Sequence, residues 1–226
     1  KQWYQRRVHG ESDEMRNNAA MVDDGLFVYN EETHLTVLKT SLFFAGDGFA
    51  AYNSKGKLIF RVDSYAPDAR DRGQLVLMDA AGRCLLTVRR KRPSLHHRWE
   101  GFLGERSEGQ RPIFSVRRSS IIGRSSVAVE MIGETAGEYQ IEGSFAQRAC
   151  TFTEAATAKT VAEIRRKMEP SANVVLGKDV FSLCVRPGFD SAFAMALSLV
   201  LDRLDGSDDG GDGVRSPDPT AGEPTG

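Results

Sequence analysis

Basic side chains are the groups in this sequence best suited to binding a ligand, and they are concentrated in one segment. Residues 83–124 contain eleven Lys or Arg residues and only three Glu residues. The whole chain has 30 basic and 31 acidic residues and a formal net charge of −1. Two basic runs follow apolar stretches and are the candidate binding residues, namely Arg89, Arg90, Lys91, Arg92, Arg117 and Arg118. Because a Lys or Arg near an anionic membrane contributes about 1 kcal/mol, these runs predict peripheral binding to anionic phospholipid headgroups.

The basic segment is also compatible with three roles that involve no lipid. Solvated edge strands often carry Lys and Arg, which prevent edge-to-edge aggregation without binding a ligand. The bases could also contact an acidic protein partner, or the acidic residues near this chain's own C-terminus at low salt. Those residues are Asp202, Asp205, Asp208, Asp209, Asp212, Asp218 and Glu223. Sequence-specific nucleic-acid binding is not expected, because the one predicted helix is too apolar to enter a groove.

Catalytic and metal-ligating groups are sparse and badly spaced. The three cysteines lie far apart in apolar, strand-like runs, so we expect buried, reduced thiols, with a redox or metal role as the alternative. They are Cys84, Cys150 and Cys184. The adjacent His96 and His97 would point to opposite faces of a strand, which makes a poor joint metal site. The sequence contains no G-x-S-x-G, HExxH or Walker motif. It therefore predicts no catalytic residue, no metal and no cofactor, and a non-enzymatic protein.

The elements that would carry these residues are short strands separated by turns. Apolar and polar residues alternate with a period of two in several runs, as a half-buried antiparallel strand requires. Asn53 precedes Gly56 by three residues, and Asp79 and Gly82 repeat this spacing; a strand follows each pair. Asn and Asp start a turn through their own side chains, and Gly adopts the positive φ of a tight hairpin. About a dozen strands are predicted within residues 35–185.

One helix is predicted after these strands. Asp190 is a suitable N-cap for residues 191–204, and Gly206 follows as a stop signal. The segment is apolar on almost every side, which is typical of a helix that is buried all round. We therefore predict a mainly β fold, a closed antiparallel barrel of about twelve strands that encloses one hydrophobic C-terminal α-helix. A hollow ligand-carrying barrel is not expected, because the helix would fill the interior.

The two ends of the chain have the composition of flexible segments. Residues 206–226 are rich in Gly, Asp and Pro and cannot bury enough apolar surface to offset their ordering entropy. Residues 1–24 are polar and are expected to be flexible too, with docking of Trp3 and Tyr4 as the alternative. We predict a flexible N-terminal extension, a barrel domain over residues 25–205 and a disordered acidic tail. The longest apolar run, residues 192–201, is shorter than the roughly 20 residues that cross a membrane. A cytoplasmic protein is expected, with peripheral membrane attachment or nuclear entry open. The sequence does not determine the oligomeric state.

Four stretches of the chain resemble the plant LURP-one-related family. They are Val62-Asp-Ser-Tyr-Ala-Pro67, Leu75-Val-Leu-Met-Asp-Ala-Ala-Gly82, Leu85-Leu-Thr-Val-Arg-Arg-Lys91 and Trp99-Glu-Gly-Phe-Leu-Gly104. The resemblance covers residues 35–204 with the order and spacing of the stretches kept. It implies a twelve-stranded barrel around a central C-terminal helix, similar to the Tubby C-terminal domain and the phospholipid scramblases. It also implies a plant protein without enzymatic activity and a link to pathogen defence. The phosphoinositide site of the Tubby domain has no matching motif in this sequence.

Overall fold

The computed structural model describes residues 26–42, 46–63, 73–92, 98–121, 124–133, 137–169 and 174–205. These residues form the strands β1 (Thr33–Leu42), β2 (Gly46–Tyr52), β3 (Leu58–Asp63), β4 (Gln74–Asp79), β5 (Cys84–Arg90), β6 (Trp99–Leu103), β7 (Phe114–Ile121), β8 (Arg124–Met131), β9 (Glu138–Ser144), β10 (Ala149–Glu154), β11 (Thr160–Arg166), β12 (Met168–Glu169), β13 (Val174–Val175) and β14 (Val180–Val185). One helix, α1, spans Ser191–Asp205. The predicted extension 1–24 and tail 206–226 lie outside the described residues.

Twelve of the described strands close into one antiparallel barrel. From β1 to β11 each strand pairs with the next along the chain, and β14 completes the circle between β11 and β1. At this seam Leu35 of β1 lies opposite Leu183 of β14, and both side chains belong to the core. The short strands β12 and β13 form a separate two-stranded ribbon. The predicted fold, a closed antiparallel barrel of about twelve strands with one C-terminal helix, is confirmed.

The two repeated turns form as their residue types predict. The side-chain Oδ1 of Asn53 accepts a hydrogen bond of 2.9 Å from the amide of Lys57. The Oδ1 of Asp79 accepts one of 2.9 Å from the amide of Arg83 in the same way. The glycines of the two turns have φ values of 74° and 87°, in the left-handed region that only Gly adopts at little cost. Local chemistry therefore sets the β2–β3 and β4–β5 hairpins.

Helix α1 fills the interior of the barrel. The carboxylate of Asp190 accepts hydrogen bonds from the amides of Ala192 and Phe193, at 2.8 and 3.2 Å, as an N-cap does. The ring of Phe193 packs against Phe114 of β7 at 5.0 Å between centroids and against Tyr139 of β9 at 5.9 Å. Twelve of the fifteen helix residues are buried. An apolar helix surrounded by strands needs no polar face, which explains its sequence pattern.

The two ends of the barrel are distinguished by the ends of this helix. At its start, the amide of Ser191 donates a hydrogen bond of 3.0 Å to the carbonyl oxygen of Phe27. At its other end, the Nζ of Lys39 on β1 lies 3.1 Å from both carboxylate oxygens of Asp202. We call this second end, where α1 finishes, the helix-exit end. Strand β7 also finishes there, since its Arg118 contacts the last turn of α1. Strand β5 runs in the same direction as β7, because only the antiparallel strand β6 separates them, and it finishes at the same end.

Candidate anion-binding surface

The two predicted basic runs lie on closely spaced strands at the helix-exit end. The first run finishes β5 and continues two residues past it, and the second lies in the later half of β7. Only β6 separates these two strands in the barrel. We call the six predicted residues the basic rim: Arg89, Arg90, Lys91, Arg92, Arg117 and Arg118. Strands β5 and β7 are both antiparallel to β6, so they run in the same direction. The two basic runs therefore lie at the same end of the barrel.

Protection of a sheet edge does not explain these bases. Strand β5 pairs with β4 and β6, and strand β7 pairs with β6 and β8. Each strand therefore has hydrogen-bonding neighbours on both sides. Since aggregation through a free edge needs unpaired backbone groups, the edge-strand role does not apply to either strand.

Two members of the basic rim continue the inward face of their strands. Val88 and Val116 are buried core residues, and Arg90 and Arg118 lie two positions further along the same strands, on the same side. The Nη2 of Arg118 donates a hydrogen bond to the carbonyl oxygen of Leu204 in the last turn of α1. A cation at a helix C-terminus also offsets the partial negative charge there. Arg118 therefore caps the helix, a role that the sequence alone did not indicate.

The outward-facing bases form a line across three neighbouring strands. The amide of Lys91 donates a hydrogen bond of 2.8 Å to the carbonyl oxygen of Arg98, which sets these residues side by side. Trp99 of β6 pairs with Val116 of β7, and the next residues toward the helix-exit end are Arg98 and Arg117. Neighbouring strands lie about 4.8 Å apart, so the line is about 10 Å long. Arg98 was not among the predicted binding residues, because the register of β6 cannot be read from the sequence.

Carboxylates lie within this surface and reduce its charge. The Nζ of Lys91 contacts Oε1 of Glu100 at 2.8 Å, and Nη2 of Arg98 lies 4.0 Å from Oε2 of Glu130. Exposed pairs of this kind contribute little to stability, but they offset part of the local positive charge. Against these two carboxylates stand five bases, Arg89, Lys91, Arg92, Arg98 and Arg117. The surface is positive, although less strongly than the composition of residues 83–124 suggests.

The end of the helix is not itself a strong anion site. Asp202 is paired with Lys39, and Arg118 is bonded to the helix. A cavity of about 130 Å³ beside α1 has Arg118, Cys150 and Asp205 among its lining residues. Its charged groups are of opposite sign, and it has room for roughly four water molecules. The outward face of the basic rim is therefore the candidate anion-binding surface.

Thiol groups and His34 are the remaining reactive side chains in the described chain. Cys150 and Cys184 are buried and Cys84 is half-buried, and all three are free thiols. Burial raises the pKa of each thiol, and that of Cys150 reaches about 12. Within the residues that the structure describes, no group of three or more His, Cys, Asp or Glu is placed to hold a metal. The other histidines, His9, His96 and His97, lie outside those residues.

Comparison with known proteins identifies the family. The model of the LURP-one-related family matches residues 33–202, which include the whole barrel and most of α1. The chain belongs to the LURP-one-related family. LURP-one-related protein 5 of Arabidopsis thaliana is 66% identical over 190 residues, which cover 83% of this chain and 90% of that protein. LURP-one-related protein 12 of the same plant is 61% identical over 188 residues, covering 83% and 85%.

A solved structure shares the fold of this LURP-one-related protein. The X-ray structure of a protein from Arabidopsis thaliana superposes with a TM-score of 0.58 and 20% identity, over 79% of this chain and 94% of that one. At this identity the likeness shows the fold alone. The family names state no enzymatic activity. Within the described ranges, no helix combines the length and apolarity needed to cross a membrane.

Proposed function

We propose that this LURP-one-related protein is non-enzymatic and binds anionic phospholipid headgroups at a cytoplasmic membrane surface. The observation that supports the proposal is the line of Lys91, Arg98 and Arg117 across three strands, with Arg89 and Arg92 exposed beside it. Several bases within about 10 Å can contact more than one phosphate or carboxylate group of a bilayer at once. Peripheral attachment of this kind requires neither a membrane-spanning segment nor a deep pocket.

The size of the effect follows from the number of outward bases. Each Lys or Arg near an anionic surface contributes about 1 kcal/mol, so neutralising three of them should cost about 3 kcal/mol. That loss corresponds to roughly a hundredfold weaker binding at low salt. Because salt screens exposed charges over about 10 Å at 0.1 M, the binding should also weaken steeply as the salt concentration rises.

The experiment is flotation of the full chain with vesicles of stated composition across a salt series. The vesicles contain phosphatidylcholine alone, phosphatidylcholine with phosphatidylserine, or phosphatidylcholine with a phosphoinositide. We expect salt-sensitive binding to the two anionic compositions and none to the neutral one. The triple variant Arg89→Gln, Lys91→Gln, Arg117→Gln should lose most of this binding, because all three side chains are exposed on the outward face.

A matched variant separates the basic rim from overall charge. Lys55, Lys57 and Lys159 are exposed bases in hairpins at the opposite end of the barrel. Their replacement by Gln removes the same three charges and should leave vesicle binding nearly unchanged. Equal losses in the two triple variants would show that only net charge matters. Absence of binding to both anionic compositions at low salt would refute the proposal.

A protein-interaction scaffold without a lipid role is the second candidate. The observation that favours it is the presence of Glu100 and Glu130 among the outward bases. A surface of mixed charge suits a protein partner with complementary acidic and basic groups better than a uniformly anionic bilayer. The defence link that the family resemblance implies would then act through such a partner. This function would be favoured if the protein did not float with vesicles but retained a plant protein in a binding assay, and if the triple Gln variant of Arg89, Lys91 and Arg117 did not retain that plant protein.

A further inference from the structure

A thiol, an imidazole and a carboxylate lie in line on the outer face of the barrel wall. The Sγ of Cys184 is 3.3 Å from Nδ1 of His34, and Nε2 of His34 is 3.0 Å from Oε1 of Glu32. His34 of β1 and Cys184 of β14 are directly paired across the seam of the barrel. Leu183 and Val185 on either side of the cysteine belong to the core, so Cys184 faces outward.

The hydrogen-bond partners determine which nitrogen of the neutral imidazole carries the proton. An ionised carboxylate only accepts hydrogen bonds, so Glu32 accepts from Nε2–H of His34. The lone pair of Nδ1 is then directed at Cys184 and accepts the S–H proton. A nucleophile within reach of a base, which a third group orients, is the arrangement that activates weak nucleophiles in proteins. The motif was not visible in the sequence, since 150 positions separate the cysteine from the histidine.

Charged side chains of β11 and of the residue that follows β14 surround this arrangement. The Nη1 of Arg186 contacts the second oxygen of Glu32, and its Nη2 lies 3.7 Å from Oε1 of Glu163. Glu163 lies opposite Cys184 on β11 and also pairs with Arg165. Burial raises the pKa of the Cys184 thiol; Arg165 and Arg186 oppose the rise, whereas Glu32 and Glu163 add to it. The resting group is therefore a protonated thiol, and its reactivity depends on a base that removes the proton during attack.

We propose that Cys184 is an oxidation site that reacts with hydrogen peroxide, with His34 as its base and Glu32 as a positioning residue. The sulfur attacks one peroxide oxygen, so that an S–O bond forms while the O–O bond breaks. The thiol proton passes to Nδ1 of His34 and then to the departing hydroxide, which leaves as water. The cysteine becomes a sulfenic acid, and peroxide is reduced to water. Only 6% of Cys184 is exposed, so the site accepts small oxidants and excludes bulky ones.

The three cysteines of one chain provide an internal comparison. The native full-length protein is treated with limiting hydrogen peroxide, and the peroxide is then removed with catalase. The protein is next unfolded in excess dimedone, so that the size of this reagent does not limit its access to a buried sulfenic acid, and the labelled peptides are quantified by mass spectrometry. Cys84 is the most exposed thiol, and it lies 3.9 Å from the hydroxyl of Thr87, which is not a base. If exposure alone controlled oxidation, Cys84 would react first. We expect Cys184 to react at least tenfold faster than Cys84, and Cys150 to react slowest.

Substitution of the base tests the mechanism. General-base assistance typically contributes 10²–10⁴-fold to a rate, so His34→Gln should slow labelling of Cys184 at least tenfold and leave Cys84 unchanged. Glu32→Gln should slow Cys184 alone by a smaller factor. The His34 side chain is 59% exposed. Faster labelling of Cys150 would reveal that His34→Gln unfolds the protein. Glu32→Gln would then be the variant that tests the mechanism. Preferential oxidation of Cys84, or an unchanged Cys184 rate in these variants, would overturn the proposal.

Discussion

Arg117 and Arg118 are adjacent in the sequence but perform different tasks in the structure. Arg117 is exposed on the outward face, and Arg118 donates a hydrogen bond to the carbonyl of Leu204. Partly buried cations at a helix C-terminus stabilise by up to about 2 kcal/mol. We therefore expect Arg118→Gln to lower the free energy of unfolding by about 1–2 kcal/mol, and Arg117→Gln to change it by less than about 0.5 kcal/mol. Urea denaturation of the two variants measures both values.

The same two variants should change vesicle binding in the opposite order. Arg117→Gln removes one outward base, so its affinity for anionic vesicles should fall roughly fivefold at low salt, equivalent to about 1 kcal/mol. Arg118→Gln should keep most of the affinity for anionic vesicles under conditions in which the variant is folded. Equal stability losses in the two variants would contradict the capping role of Arg118. Equal affinity losses would contradict the division of the basic rim into outward and inward groups.

At the scale of the elements, α1 is the part of the fold on which the barrel depends. Leu197 lies in the middle of this helix and is completely buried. A carboxylate at this position has no charged partner on its own face of the helix, and an unpaired buried charge costs several kcal/mol even after relaxation. That cost is comparable to the net stability of a whole domain. Leu197→Asp should therefore abolish soluble expression of folded protein, as measured by yield and circular dichroism.

A volume-conserving substitution at the same position controls for the mutation itself. Leu197→Met keeps an apolar side chain of similar size, which normally costs less than about 1.5 kcal/mol. This variant should be expressed and should unfold cooperatively at a slightly lower temperature. A stable, folded Leu197→Asp protein would show that α1 does not occupy the barrel interior.

The strands and the helix could be predicted because their signals are local. Asn53 and Asp79 start turns with their own side chains, and Asp190 caps α1 within three residues of the groups it binds. The line of Lys91, Arg98 and Arg117 could not be predicted, because it depends on the register of three strands. A one-residue change of register moves every side chain to the other face. The sequence therefore located the basic runs but not which of their members face outward.

At the scale of the whole molecule, the closed barrel keeps the two candidate sites apart. Strands β6 and β14 are six positions apart in a circle of twelve strands, so the basic rim and the Cys184–His34–Glu32 cluster lie on opposite sides. Effects of substitutions at distant sites without shared partners usually add. Variants of His34 should therefore leave vesicle binding unchanged, and variants of Lys91 should leave oxidation of Cys184 unchanged. Failure of one proposal does not affect the test of the other.

The barrel also determines where the acidic C-terminal segment begins. Helix α1 ends at Asp205, at the same end of the barrel as the basic rim, and the remaining acidic residues follow directly. They are Asp208, Asp209, Asp212, Asp218 and Glu223. Negative charges attached close to a basic surface compete with an external anion at an effective concentration in the millimolar range. Deletion of residues 206–226 should therefore raise the affinity for phosphatidylserine vesicles several-fold at low salt.

A salt series and a variant with an uncharged tail test whether this competition is electrostatic. The difference between the full chain and the chain ending at Asp205 should vanish at high salt, because screening removes the attraction between exposed charges. A full-length variant with the five acidic tail residues changed to Asn or Gln should bind anionic vesicles as tightly as the deletion. If the deletion alone binds more tightly, the tail acts by bulk rather than by charge. Identical affinities of all three proteins at low salt would show that the acidic segment does not compete for the basic rim.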